Sequence, residues 1–187
     1  MSNQNINRIM EEASDALAKM EYLRCEKLCL EGLKLARDEK DYDTYARILM
    51  PLQEARRQRR QAAEDAGVFL VTGEKLSAEG ILDAYPEGCL ILQSDTYTEE
   101  DLHAVRELAC EKGLLVEVLL VTGKDLLAMF LQQMESQGDE ALAQVDSKLT
   151  GDALIDALQG VIEKVGDHEI AHQRLKDAAK AILLPQD

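Results

Sequence analysis

Between Met20 and Ala36 the sequence reads MEYLRCEKLCLEGLKLA, and its spacing restricts the fold more than any other stretch of the chain. Tyr22, Cys25, Cys29, Gly32 and Ala36 recur at intervals of three and four, which places them on one face of an α-helix. Most of that face is small, so a neighbouring helix can approach closely. Arg24, Glu26, Lys27, Glu31 and Lys34 cover much of the remainder, as a solvated face requires. The pattern is that of a helix made to lie against sister helices.

Such sisters are expected on both sides. Asn5 to Lys19 carries Ile6, Ile9, Ala13, Ala16 and Leu17 on one face. Asp41 and Asp43 are N-cap candidates for a third helix bearing Tyr45, Ile48, Leu49 and Leu52. Pro51 falls inside that helix, where it removes a backbone donor and is expected to kink it. Arg56, Arg57, Arg59 and Arg60 are expected to end it, since cations suit a helix C-terminus.

A large aromatic at a helix entrance followed by small residues resembles the second helix of a tetratricopeptide repeat, with Tyr22, Cys25, Cys29 and Gly32 in the aromatic and small slots. Glu21 matches a commonly acidic turn position, whereas Met20 stands where that family usually has glycine. The resemblance covers roughly residues 6–63, about one and a half repeats. It implies a scaffold for protein contacts that must lean on a further surface, because stacked repeats need about three units. The segment ARILMPLQEARRQRRQA is also similar to uncharacterised bacterial proteins, frequent among planctomycetes, that join such a helical half to a small α/β half. That second resemblance implies no activity.

Charge separates the halves. Residues 1–63 hold 12 Lys/Arg and 11 Asp/Glu, and residues 64–187 hold 9 and 25, which together give the net charge of −15. So acidic a surface repels phosphate backbones, and nucleic-acid binding is not expected. The arginine cluster is the local exception. It is either neutralised by an acidic neighbouring domain or offered, with Tyr45, to an acidic protein partner. No apolar run reaches the roughly 20 residues of a membrane span, since LLVEVLLV is short and broken by Glu117. MSNQNINRIMEE has no apolar segment behind a basic start, and four cysteines at unpatterned spacings suggest reduced thiols, so a cytoplasmic location is expected. Cys25 and Cys29 could face one metal, but no second pair supplies the ligands of a structural zinc.

The second half alternates. Val68–Thr72, Cys89–Gln93 and Leu114–Thr122 are short, apolar and branched, as buried strands are. Thr98 with Asp101 three residues on approximates a capping box for a helix with Leu102, Val105 and Ala109 inward and Gly113 at its end. Leu127, Phe130, Leu131 and Met134 form the stripe of another helix, and a fourth strand could lie in ALAQV at 141–145. Two final helices carry Leu154, Leu158, Val161, Ile162 and Val165, then Leu175, Ala178, Ala179 and Ile182, with Asp167 as the expected cap between them. Strands alternating with helices imply a parallel sheet.

Two motifs suggest chemistry. LVTGEKL and LVTGKDL each run from a strand into a Thr-Gly turn, at Thr72-Gly73 and Thr122-Gly123. Such turns at the C-terminal ends of strands can hold a small anion or nucleotide, although neither copy has the glycine pattern of a phosphate loop. His168-Glu169-Ile170-Ala171-His172 matches H-E-x-x-H, the signature of zincin metalloproteases, which it resembles. In that family's terms His168 and His172 would grip zinc and Glu169 would be the general base. Asp167 before the first histidine, Leu175 in a glycine position and the lack of a later glutamate depart from the family. The plainer reading makes both histidines part of the last helix's stripe.

The expected fold is therefore mixed α/β. It comprises a helical, repeat-like unit at 1–64 and an acidic domain at 65–187, with a small three- to four-stranded, mostly parallel sheet, flanking helices and a C-terminal helical pair. The expected function is a non-catalytic protein–protein interaction or assembly module, through a partner or self-association, with no cofactor. Two other readings stay open: a metal-dependent hydrolase at His168, Glu169 and His172, and a small-ligand binder at the Thr-Gly turns.

Overall fold

The computed structural model describes residues 2–121, 139–166 and 168–183. Helices α1 (Ser2–Ala18), α2 (Tyr22–Asp38) and α3 (Tyr42–Ala66) come first. Strand β1 (Val68–Val71), helix α4 (Ala78–Ala84), strand β2 (Gly88–Gln93), helix α5 (Glu99–Lys112) and strand β3 (Val116–Val121) follow, and then α6 (Gly151–Val165) and α7 (Glu169–Ile182). The mixed α/β class, the helical N-terminus and the small parallel sheet agree with the sequence pattern. The expected helix at Leu127, Phe130, Leu131 and Met134, the Thr122-Gly123 turn and the Asp167 cap lie outside the described residues.

The chain divides into two compact units, one formed by residues 1–57 with 133–187 and the other by residues 58–132, so the boundary falls inside α3. The C-terminal helices thus group with the N-terminal ones, and the domain expected at 65–187 does not stay together. The reason is a shared core. Ile6, Ala13 and Ala16 of α1, Cys25, Cys29 and Leu33 of α2, and Tyr45, Leu49 and Leu52 of α3 form one apolar cluster with Ile155, Leu158, Leu175 and Ala179 of α6 and α7.

Within the helical unit the two hairpin turns are copies of each other. Met20 and Lys40 both adopt left-handed backbone, with φ of 61° and 56°. The Glu21 amide returns to the Ala16 carbonyl at 2.9 Å and the Asp41 amide to the Ala36 carbonyl at 2.8 Å. These bonds satisfy carbonyls that each helix end would otherwise leave unpaired. The small face of α2 works as its spacing implies. A Cβ on Gly32 would meet Ile48 Cδ1 at 3.1 Å and Ile9 Cγ2 at 3.5 Å, so α1 and α3 close on that position. Helix α3 continues through Pro51 to Ala66, which puts the four arginines inside it rather than at its end.

In the sheet unit the strands lie in the order β1-β2-β3, all parallel. Phe69, Leu90 and Val118 are in register on one face, where Ile81 and Leu82 of α4 and Leu102, Val105 and Ala109 of α5 join them in a second core. Neighbour-to-neighbour order with right-handed crossovers puts both helices on one side. Helix α5 has the capping box that Thr98 and Asp101 suggested, with Thr98 N to Asp101 Oδ2 at 2.8 Å and Asp101 N to Thr98 Oγ1 at 3.3 Å. Gly88 has φ of 108°, and a Cβ there would lie 2.6 Å from the Phe69 ring and 2.8 Å from the Gly67 carbonyl, so only glycine fits. A fourth strand in ALAQV does not form. Residues 139–143 are helical, the Gln144 amide bonds to the Glu140 carbonyl at 3.3 Å, and Leu142 is buried with the helical core.

Candidate functional site

The richest set of polar side chains lies along a seam in the helical unit, where α6 meets α2 and α3. Tyr42 donates its hydroxyl to Asp152 at the start of α6. Arg37 binds Asp156 Oδ1 at 2.6 Å and the Asp152 carbonyl at 3.1 Å, and its guanidinium lies over the Tyr42 ring at 5.9 Å from the centroid. Tyr45 donates to Gln159 Oε1 at 2.9 Å. Further along, Arg56 donates to the Ile162 carbonyl at 3.0 Å, near the C-terminus of α6, while its Nε pairs with Glu26 of α2 at 2.7 Å.

The order of these contacts fixes a direction. The first residue of α3 meets the first turn of α6, and Arg56 meets its last turn, so the two helices run parallel. A parallel neighbour cannot be reached through a tight turn. The chain must return at least the length of a helix before α6 begins. Arg56 also places a cation where the α6 dipole is negative.

The seam settles where the expected partner-binding residues stand. Tyr45 is fully buried and Arg56 is only 6% exposed, so neither is presented to an outside partner; their polar atoms serve the seam. Arg57 is the most exposed of the four arginines and contacts Glu54 at 2.5 Å, while Arg59 pairs with Glu117 at 2.8 Å and Arg60 with Glu64 at 3.6 Å. Acidic neighbours therefore meet each cation. Glu117 projects from the sheet face opposite α4 and α5, together with Leu70, Cys89 and Ile91. Arg106 of α5 donates to the Val118 carbonyl on strand β3 at 2.7 Å, while His103 and Cys110 are exposed.

The H-E-x-x-H residues divide. His168 precedes α7 with extended backbone (φ −124°, ψ 110°) and caps it, its Nδ1 accepting from the Ala171 amide at 3.3 Å. Its Nε2 is 3.7 Å from Asp139. His172 is buried, with Nε2 3.1 Å from the Gly166 carbonyl and Nδ1 without a hydrogen-bond partner. Burial lowers its pKa to about 4 and outweighs the Gly166 carbonyl, with Arg56 adding to the depression. Glu169 is exposed. The two rings thus do separate jobs, capping and packing, and His168 does not sit on the helical face that a paired metal grip requires. Among the described residues no group of three or more His, Cys, Asp or Glu could hold a metal ion.

At the C-terminal edge of the sheet, Thr72 and Gly73 are exposed, and Gly73 has φ of 99°. The loop after them is tied to the first turn of α5 and to the segment before it: Lys75 Nζ contacts Asp101 at 2.7 Å and the Leu76 amide donates to the Tyr97 hydroxyl at 3.3 Å. Glu26, Arg37, Tyr42, Asp152, Asp156 and Gln159 are the seam residues that sequence patterns did not reveal. Their partners lie 110 to 119 residues away for all but Glu26, and no local motif marks such a pairing.

No protein-family model, curated protein or solved structure matches this chain. No helix among the described residues is long and apolar enough to cross a membrane.

Proposed function

We propose that this protein is a non-catalytic interaction or assembly module, and that its helical unit is the scaffold that carries the contacts. The observation behind this reading is the duplicated hairpin, with left-handed Met20 and Lys40 and the matching Glu21–Ala16 and Asp41–Ala36 bonds. Recurring helix–turn–helix geometry builds a continuous core and leaves broad outer faces for partners, which also suits the likeness of residues 6–63 to tetratricopeptide repeats. The partner is a protein or a second copy of the chain. An acidic surface with net charge −15 argues against nucleic acid. A cytoplasmic setting suits four unlinked cysteines.

The test is the mass of the chain in its native surroundings. Gel filtration of a host extract, with the chain detected by mass spectrometry, should place it in an assembly well above its 20.8 kDa. Light scattering of the purified protein then separates self-association from a second component. Elution as a monomer in both the extract and the purified sample contradicts the proposal.

A further inference from the structure

Cys25 and Cys29 stand one turn apart on α2, both buried, with their sulfurs 4.0 Å apart. Cys25 Sγ also lies 3.8 Å from the Pro51 carbonyl of α3. Zinc would require four donors, which the pair cannot supply. An ion that is satisfied by two soft donors needs only the pair itself. With metal–sulfur bonds of about 2.3 Å, sulfurs 4.0 Å apart subtend roughly 120° at a shared ion. A small side-chain rotation opens that angle towards the linear arrangement that d10 monovalent ions adopt. Among biological cations, thiolates select monovalent copper.

We propose that Cys25 and Cys29 chelate one Cu(I) ion between α2 and α3. Two thiols and Cu(I) give a bis-thiolate centre of charge −1 and release two protons, with no change of oxidation state. Both cysteines belong to the apolar core, a dry setting that disfavours harder, strongly hydrated ions. This inference stands apart from the interaction reading, since it rests on the thiol pair alone.

The chain carries its own controls, because Cys110 is exposed and Cys89 is buried in the other unit. The full-length reduced protein is titrated anaerobically with Cu(I), supplied as its acetonitrile complex, against the chelator bicinchoninate. One copper per chain should be retained, and X-ray absorption should show two sulfur neighbours. Cys110→Ser should bind equally well, whereas Cys25→Ser and Cys29→Ser should each lose the retained copper while circular dichroism reports the fold. If either of these two fails to fold, the Cys110→Ser chain decides alone through its stoichiometry and its sulfur count. Copper surrendered to the chelator by the wild-type chain, or lost on Cys110→Ser, overturns the proposal.

Discussion

The two units of this molecule bury their cores over very different sequence ranges. In the sheet unit each strand pairs with the next one along the chain, and the helix that joins them covers the shared face. In the helical unit the decisive contacts join residues more than a hundred positions apart, as Tyr42 with Asp152 and Arg37 with Asp156. The chemistry differs too. Strand register follows from alternating apolar residues and backbone bonds, but the α3–α6 seam carries buried hydroxyl and guanidinium groups that find partners in one alignment only. A long-range dock needs such markers, because apolar surface alone is tolerant of sliding.

That contrast can be broken by removing one element from each side. Arg56→Ala should be the most damaging, at about 4 kcal/mol, because it removes a buried guanidinium that joins Glu26 of α2 to the last turn of α6. Urea unfolding followed by signals from each unit should place that loss in the helical unit. Leu90→Ala, in the fully buried middle strand, should cost about 3 kcal/mol and act on the sheet unit. Equal effects of both substitutions on both units would erase the distinction.

Acid provides a third probe. The His172 pKa is about 4 in the fold against 6.5 when unfolded, so the folded chain binds fewer protons in between. Stability is then fully present above about pH 6.5 and falls as the pH drops towards about 4, by roughly 3 kcal/mol at most. His172→Gln should flatten that part of the pH profile in chemical denaturation, and an unchanged slope would remove the histidine from the account. A smaller effect is expected from Tyr45→Phe, about 1 kcal/mol, for the bond to Gln159. Smallest of all, Met20→Gly and Lys40→Gly should each stabilise the hairpins by about 0.5 kcal/mol, since glycine relieves left-handed backbone but loses more chain entropy. Thermal melts of the two variants check the sign.

The sheet unit was largely legible in the sequence because its information is local. The three apolar strands, the Thr98–Asp101 cap and Gly113 at the end of α5 all follow from short-range pattern. The face of α2 that packs was legible as well, down to Gly32. What could not be read was the destination of α6 and α7, since their apolar stripes fit any core of suitable size. The buried fate of Tyr45 and Arg56 was hidden for the same reason. ALAQV misled because a short apolar run suits a strand or a helical turn equally until Leu142 meets its core. H-E-x-x-H was legible as a motif, but the pattern does not reveal that α7 begins after His168. The second hairpin was within reach: EY at 21–22 and DY at 41–42 repeat at the same place relative to a helix start.

The central claim is that both ends of the chain build one helical unit. Hydrogen exchange of the intact protein, resolved by segment, tests it directly. Amides of α6 and α7 should open together with those of α2 and the first half of α3, at a free energy distinct from that of β1, β2 and β3. Opening of α6 and α7 in step with the strands, while α1 to α3 stay protected, would contradict the account.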